Sequence, residues 1–504
     1  RETLLLQDSS PDSSTDAILA SRPLSAAVPP RRVFGMWAAQ SESLPLNLYN
    51  REIAEPKKTK TMHDNQTKQL YEALAEIPIL DAHTHLVGGK LGARGLHDIL
   101  LYHMAVSDLY AAGCPTGERL TQYPNWPTTE EAHSRVREAL PFLHHVQNTS
   151  TSWGIRMILR DLYGWDQPIR EDSWKRLDAM IRERADDRVW HREILTRANI
   201  RRSVTEFARR EDDCDADILQ YSLEWAFFTR CQWGEYDTAL YELERCWGKT
   251  PENPTPIGMG PRPKTERTIH SLEDVHVAVE SYVRSIPYDK ILSTATHIST
   301  DLDLEPVTDA QMRDALNNRH NPTHRERNIY ASYINELYLS ALEEYADRIV
   351  FQFSLGAEPL PHETVSRLSS TTIRQIGEMI AHHPRLRFQC FLAGGFANQS
   401  LCTLCRELPN FSLAGYWWHN FFPSTIAQIM RERLDMLPSN RQIGFFSDAY
   451  CVEWAYAKTR IVRTLLAEVL AEKIQIGQYS IEDAKAIAYR ILFEAPQALL
   501  GMVP

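Results

Sequence analysis

The sequence lacks the features of several large protein classes. None of its apolar runs reaches the roughly 18 residues that a membrane-spanning helix needs, so we expect no membrane segment. Basic residues are in deficit, with 55 Lys and Arg against 66 Asp and Glu and a net charge of −11, which argues against a nucleic-acid-binding surface. The eight cysteines are scattered along 504 residues, and a chain of this length does not need disulfides. These absences favour a reduced, cytoplasmic, soluble protein.

The first part of the chain also lacks the apolar periodicity of a folded segment. Serine, proline and charged residues cluster at residues 9–14, 28–32 and 55–60, and such a composition is typical of disorder. The basic start and compact apolar centre of a secretory signal are missing. We expect a disordered leader over residues 1–61 and a folded domain over residues 62–504, with Met62 as a candidate start of translation.

A short apolar run at residues 77–86 ends in a His-x-His pair, formed by His83 and His85. Side chains two apart in a strand point to the same side. Two imidazoles at the carboxyl end of a buried strand can hold a divalent metal at the mouth of a parallel β/α barrel. The alternative is a surface turn that happens to carry two histidines.

Apolar runs recur along the chain and predict strands buried on both faces, as in a parallel sheet. Helix-like segments, such as Asn328–Ala346 and Thr371–His382, lie between most of them. This α/β alternation predicts a (β/α)₈ TIM-type barrel with one strand not identified, a helical insertion at residues 86–199 over its mouth, and closing helices at Arg460–Gln478 and Ile481–Leu500. The predicted strands are Ile77–Ala82, Ile200–Phe207, Ile291–Thr296, Ile349–Ser354, Leu386–Leu392, Phe411–Trp417 and Gln442–Phe446.

The last predicted strand ends in an aspartate, Asp448. A barrel brings this position beside the end of the first strand, where a carboxylate can bind the metal or abstract a proton. Ser447-Asp448 is also a common helix N-cap, here ahead of the helical segment Val452–Ala457. We favour the catalytic interpretation because His83 and His85 supply the partner ligands.

The His83-x-His85 pair after the first predicted strand and Asp448 after the last one together resemble the amidohydrolase superfamily, in which His-x-His follows the first strand and Asp follows the eighth. Within it, the chain from about Glu72 to Gly501 resembles the uronate (glucuronate) isomerase family. The segments that carry this resemblance are Asp161–Gly164, Glu171–Trp174, His191–Leu195, Phe351–Ala357, Tyr416–Asn420, and the tail from Ser447 through Arg460–Leu466 to Gly477–Tyr479.

The resemblance implies a metal-dependent aldose–ketose isomerase of a hexuronate such as glucuronate, which it converts to fructuronate, or of a related sugar acid. It assigns His83, His85 and Asp448 as ligands of one divalent ion, with zinc expected, and Asp448 also as the base. Arg192 would hold the substrate carboxylate, His103 would hydrogen-bond sugar oxygens in catalysis, and Trp418 would contact the substrate. No nucleic-acid or membrane partner is implied, and a homo-oligomer is compatible with it.

The chain also departs from the family pattern. Where the family has Asp-His-Tyr, this chain has Tyr102-His103-Met104, and we assign Tyr102 as the stand-in for the catalytic tyrosine. Tyr450 replaces an arginine expected near the substrate, and a phenol cannot supply its charge. Ser354 replaces a strand histidine, whose role His297 is a candidate to fill.

These departures leave alternatives open. One is a divergent hydrolase or decarboxylase of the amidohydrolase superfamily, with the same ligands and a metal-bound water. Another is a family member without activity that is retained for binding. No lysine stands at a predicted strand end to become a carbamate between two metals, so we predict a single ion.

Overall fold

The structure is a computed structural model, which describes nine stretches of the chain. The described residues are 56–114, 128–205, 215–224, 238–251, 264–298, 303–355, 370–392, 395–416 and 422–502, with the backbone alone at residues 56–64, 103, 238 and 297. Most of the predicted leader lies outside them. The first helix, α1, spans Pro56–Ala75 and therefore begins ahead of Met62.

The centre of the fold is a sheet of eight parallel strands that follow one another in chain order. This confirms the predicted TIM-type barrel. Each predicted strand overlaps an observed one, and the observed bounds differ by a few residues at the ends. The strands are β1 Ile79–Thr84, β2 Ile200–Thr205, β3 Leu219–Glu224, β4 Ile291–Ile298, β5 Val350–Leu355, β6 Arg387–Leu392, β7 Phe411–Ala414 and β8 Gln442–Ile443.

The strand that the sequence did not reveal is β3. It begins after a connection that runs only from residue 206 to residue 218, whereas a β/α unit places the next strand about 30 residues on. Its sequence, Leu-Gln-Tyr-Ser-Leu-Glu, mixes polar and apolar residues and does not form the apolar run used to find the others. Position in the barrel, between β2 and β4, makes it a strand.

Hydrogen bonds join the two ends of the sheet. The amides of Ser447 and Asp448, just past β8, donate to the carbonyl of His83 at 3.2 and 2.9 Å, and the amide of His85 donates to the carbonyl of Ala449 at 3.0 Å. These bonds nearly close the barrel and bring the residues that follow β8 against the carboxyl end of β1.

Polar side chains cross the inside of the barrel. Gln352 on β5 donates to the carbonyl of Ala82 on β1 at 3.3 Å and to Oε1 of Gln389 at 2.7 Å, and Ser293 donates to Oε1 of Gln352 at 2.8 Å. Because β1 and β5 are not neighbours in the sheet, the bond between them spans the interior. Buried amides need partners, and the side chain of Gln352 obtains them from Ala82, Gln389 and Ser293.

Helices surround the sheet. The described residues between 86 and 199 contain six α-helices, and the bounds of the insertion stay a prediction. After the sheet, one helix covers Val452–Gln475, so it joins the predicted helical segment Val452–Ala457 to the first predicted closing helix, and its N-cap is Cys451. The helices after α1 are α2 Leu96–Leu100, α3 His103–Ala111, α4 Thr129–Ala139, α5 Ser150–Tyr163, α6 Trp174–Arg182, α7 Arg188–Ala198, α8 Thr238–Cys246, α9 Leu272–Arg284, α10 Asp309–Leu316, α11 His324–Leu342, α12 Ser370–His382, α13 Asn398–Glu407, α14 Pro423–Met436, α15 Val452–Gln475, α16 Ile481–Tyr489 and α17 Ala495–Leu500.

The alternative interpretation of Asp448 as a helix N-cap is wrong, because the N-cap of the following helix is Cys451. Across the described stretches of the chain, no helix is both long and apolar enough for a membrane span.

Candidate metal centre

The predicted ligands meet at the seam between β8 and β1. His83 belongs to β1, His85 directly follows it, and Asp448 follows β8. Thr84, between the two histidines, turns the other way, and its hydroxyl donates to the carbonyl of Ala449 at 2.9 Å. The pairing of β1 with β2 is irregular between Asp81 and Thr84, and such bulges re-aim side chains near active sites.

The three side chains form a compact donor set. Nε2 of His83 lies 3.4 Å and Nε2 of His85 lies 3.1 Å from Oδ1 of Asp448, and one ligand atom from each lies within 4.8 Å of the others. Ligand atoms at the 2.0–2.2 Å typical of tetrahedral zinc stand about 3.4 Å apart. The spacing and the two nitrogen and one oxygen ligands therefore fit a single divalent ion. Among the described residues, this is the group of three such side chains whose ligand atoms lie close enough together to hold a metal ion.

The donor set is largely shielded from water. The side chains of His83 and Asp448 are 1% and 2% exposed, while that of His85 is 13% exposed. The ring of His83 packs near Phe391, with centroids 5.1 Å apart. A ligand would therefore approach from the side of His85, and the low dielectric constant around the other two strengthens their interaction with a cation.

Two residues that sequence reasoning left out of the ligand set adjoin Asp448. Lys458 on α15 is fully buried, and its Nζ lies 3.9 Å from Oδ2 of Asp448 and 2.7 Å from the hydroxyl of Tyr102. Burial lowers the pKa of Lys458 to about 8, an effect that the negative charge of Asp448 opposes. The signal in the sequence was a single lysine within the apolar first turns of α15, but its partner could not be deduced.

Tyr102, predicted as a catalytic residue, is brought to the centre. Its hydroxyl donates to the backbone carbonyl of Asp448 at 2.5 Å and lies 3.4 Å from Oδ2 of the same residue. Burial, reinforced by the Asp448 charge, raises the pKa of Tyr102 well above its usual value, so the phenol stays protonated at neutral pH.

Asp81 is a further buried carboxylate that the sequence analysis did not single out. It accepts hydrogen bonds from the amide of Ser447 at 2.7 Å and from the hydroxyl of Ser203 at 3.2 Å. Burial raises the pKa of Asp81 to about 6, although the bonds from Ser447 oppose this shift. Its contacts tie β2 and the segment after β8 to β1, directly beneath the metal ligands.

Among the predicted substrate-binding residues, the structure describes the side chain of Arg192. Arg192 on α7 pairs with Asp217 at 2.6 Å and with Asp215 at 3.1 Å, and 39% of its side chain is exposed. Tyr450, in place of the expected arginine, stacks on the ring of His85 with centroids 4.6 Å apart. The side chains of His103 and His297 and the whole of Trp418 lie outside the described residues; the backbone of residue 297 pairs with Ser354 on β5.

Comparison with known proteins places this geometry in a family context. No protein-family model matches the chain. The uronate isomerase of Thermotoga neapolitana is 20% identical over 172 residues, which are 33% of this chain and 36% of that protein. The chain thus matches little more than a third of the length of its curated relatives. The solved glucuronate isomerase of Caulobacter crescentus has a TM-score of 0.66 at 12% identity, over 92% of this chain and 98% of that one.

The predicted resemblance to the uronate isomerases is confirmed. It is a distant one, as the departures at Tyr450 and Ser354 lead us to expect. A candidate metal-dependent hydrolase from Lactobacillus casei has a related structure, with a TM-score of 0.54 at 13% identity over 86% of this chain and 97% of that one. Because one fold can carry different chemistries, the likeness to uronate isomerase structures shows the architecture, and the activity must be argued from the site.

Proposed function

We propose that the chain is a metal-dependent aldose–ketose isomerase that acts on a hexuronate such as glucuronate, giving fructuronate, or on a related sugar acid. The observation that carries the proposal is the His83–His85–Asp448 donor set at the carboxyl edge of the barrel, where barrel enzymes keep their active sites. The distant likeness to uronate isomerases supports the substrate class. We propose one ion and zinc as its identity, because two imidazoles and a carboxylate suit it.

Isomerisation moves a proton between C1 and C2 of the open-chain sugar. A divalent ion bound here would supply Lewis-acid polarisation of the sugar oxygens. Asp448 is our proposed base, since its carboxylate lies at the seam and its Oδ2 faces Tyr102 and Lys458 rather than solvent. The hydroxyl of Tyr102, 3.4 Å from Oδ2, is our proposed catalytic partner of Asp448.

Recognition of the substrate carboxylate is assigned to Arg192. Its guanidinium is already paired with Asp215 and Asp217, so a substrate carboxylate would have to compete with these two aspartates for it, and 39% of the side chain is exposed. His103 and Trp418 stay predicted substrate contacts. Since Tyr450 lies against His85 where the family pattern has an arginine, we expect weaker binding of an anionic sugar than in the relatives.

A hydrolase of the same superfamily is the second candidate, favoured by the related fold of the Lactobacillus casei protein and by the phenol at position 450. In that case Asp448 would accept a proton from the attacking water instead of from a sugar carbon.

One experiment separates these functions. Purified protein is analysed for bound metals, loaded with Zn²⁺, and assayed for ketose formation from D-glucuronate and other hexuronates and for hydrolysis of lactones and carboxylate esters. The control is the protein with His83→Ala and His85→Ala, which removes both nitrogen ligands. Metal-dependent ketose formation that the control lacks supports the isomerase; hydrolysis without isomerisation supports the second candidate; binding of sugar acids without turnover supports a binding protein.

A further inference from the structure

The backbone of Asp448 has an unusual conformation. Its φ is +49°, in the left-handed region that a non-glycine residue rarely adopts. Such a conformation persists only where the surroundings hold it in place, and it is common in residues that position a functional group. The contacts that hold Asp448 are therefore informative about how its carboxylate is aimed.

Lys458 makes two of these contacts and supports a third. Its ammonium group donates to the carbonyl of Asp448 at 3.4 Å and to the hydroxyl of Tyr102 at 2.7 Å, and that hydroxyl donates to the same carbonyl at 2.5 Å. Nζ also lies 4.7 Å from the centroid of the Tyr102 ring, which stacks on Trp454. The lysine thus fixes both the carbonyl of Asp448 and the tyrosine that contacts it.

A lysine at this position is costly. Its side chain is 0% exposed, and removing an ammonium group from water is unfavourable unless hydrogen bonds compensate. A methionine of similar length would fill the same space in α15 without that cost. The cation also lies beside a proposed metal ligand, where its charge alone would repel a divalent ion. Packing alone therefore gives no reason for a lysine here, whereas its contacts with Asp448 and Tyr102 do.

We infer that Lys458 is a positioning residue, which holds Asp448 and Tyr102 in the arrangement that binds the metal ion. This inference rests on the metal centre of the proposed function and adds a residue that lies outside its ligand set. The inference predicts the direction in which metal affinity changes when Lys458 is removed. If Lys458 acts by position, its removal weakens metal binding; if it acts only by charge, its removal strengthens metal binding.

The test measures Zn²⁺ affinity of the full chain by competition with a chromophoric chelator. Lys458→Met removes charge and hydrogen bonds, and Lys458→Gln removes the charge but keeps a shorter N–H donor. Loss of a group that orients a ligand typically costs roughly 10–100-fold in metal affinity, so we expect that loss for Lys458→Met and a smaller one for Lys458→Gln. Lys473→Met is the matched control, since Lys473 lies on the same helix, is 8% exposed and pairs with Asp435 at 2.5 Å.

Two further measurements exclude a general loss of structure. Thermal unfolding without metal should show a folded Lys458 variant, and if Lys458→Met does not fold, Lys458→Gln is compared with the control. The visible absorption of the Co²⁺-loaded protein should change for the Lys458 variants and not for Lys473→Met, because it reports ligand geometry. Unchanged or tighter Zn²⁺ binding in both Lys458 variants would overturn the inference while leaving the proposed function intact. A wild-type protein that binds no Zn²⁺ would instead remove the metal centre, and with it both proposals.

Discussion

Replacement of Asp448 by asparagine separates the proposed chemistry from the architecture of the site. The amide has nearly the same shape as the carboxylate, and asparagine tolerates the positive φ of +49° at least as well as aspartate. An amide oxygen can still face His83 and His85, whose Nε2 atoms lie 3.4 and 3.1 Å from Oδ1. The variant therefore loses the negative charge and the basicity but not the placement.

The substitution should change both the turnover and the free energy of unfolding. An amide cannot accept a proton from carbon, so turnover should fall by the roughly 10²–10⁴-fold typical of the loss of a general base. The carboxylate also attracts Lys458, whose Nζ lies 3.9 Å away, and at an effective dielectric constant of about 20 this attraction is about 4 kcal/mol. That figure is an upper limit on the loss of unfolding free energy, since the amide also avoids the cost of burying a charge.

The assay uses one preparation of Asp448→Asn for three measurements: turnover of D-glucuronate with Zn²⁺ in excess, bound metal after dialysis, and urea unfolding without metal. We expect turnover to collapse, metal to be retained at a reduced affinity through the two histidines, and the fold to survive. Turnover within tenfold of the wild type at full metal occupancy would refute the role of Asp448 as base.

Further predictions concern residues at and beyond the site. Burial lowers the pKa of His97 from the usual 6.5 to about 4, so between these pH values the unfolded chain binds a proton and the folded chain does not. As pH falls from 7 to 5, the wild type should therefore lose about 2 kcal/mol of unfolding free energy relative to His97→Gln, as measured by urea titration. The same dependence of unfolding free energy on pH in both proteins would contradict this. Gly415→Ala should destabilise the fold by about 1–3 kcal/mol more than Gly164→Ala. Both glycines have φ near +60°, but only at position 415 would the new Cβ clash, at 2.1 Å from the Phe446 ring. Equal unfolding midpoints for the two variants would contradict this prediction. Tyr450→Arg should lower KM for hexuronates by roughly tenfold, since a charge-assisted hydrogen bond contributes about 1.5–3 kcal/mol, and a raised KM would show that the carboxylate binds elsewhere.

Local patterns in the sequence were sufficient for much of the architecture. Strands dominated by apolar residues reflect burial on both faces, as in β5, where four of six residues are apolar and all six are buried, so strand and parallel sheet follow from the same observation. Several helix starts are equally local: Thr323 and Glu326 form the capping box that begins α11, and Ser480 and Asp483 form that of α16. The meeting of the candidate metal ligands His83, His85 and Asp448 was predictable because a two-residue spacing and a strand end restrict where three side chains can point.

Other features depend on contacts between distant segments. The strand β3 alternates apolar and polar residues instead of forming an apolar run, and its place in the sheet is set by pairing with β2 and β4. Tyr102 and Asp448 are 346 residues apart in the chain, and their hydrogen bond exists only because the barrel nearly closes at β1 and β8. The role of Lys458 cannot be deduced from its helix alone, because that closure supplies its partners Tyr102 and Asp448.

The sequence by itself therefore determined the barrel and its helical insertion, and it pointed to the candidate metal ligands, since strands, helices and strand ends are each recorded within a window of a few residues. Only the tertiary structure decided that Lys458 and Tyr102 meet Asp448, that its backbone takes a left-handed conformation, and that Arg192 is held by two aspartates. The physical reason is that these arrangements are set by the packing of segments far apart in the chain, and no local period records which segments will meet.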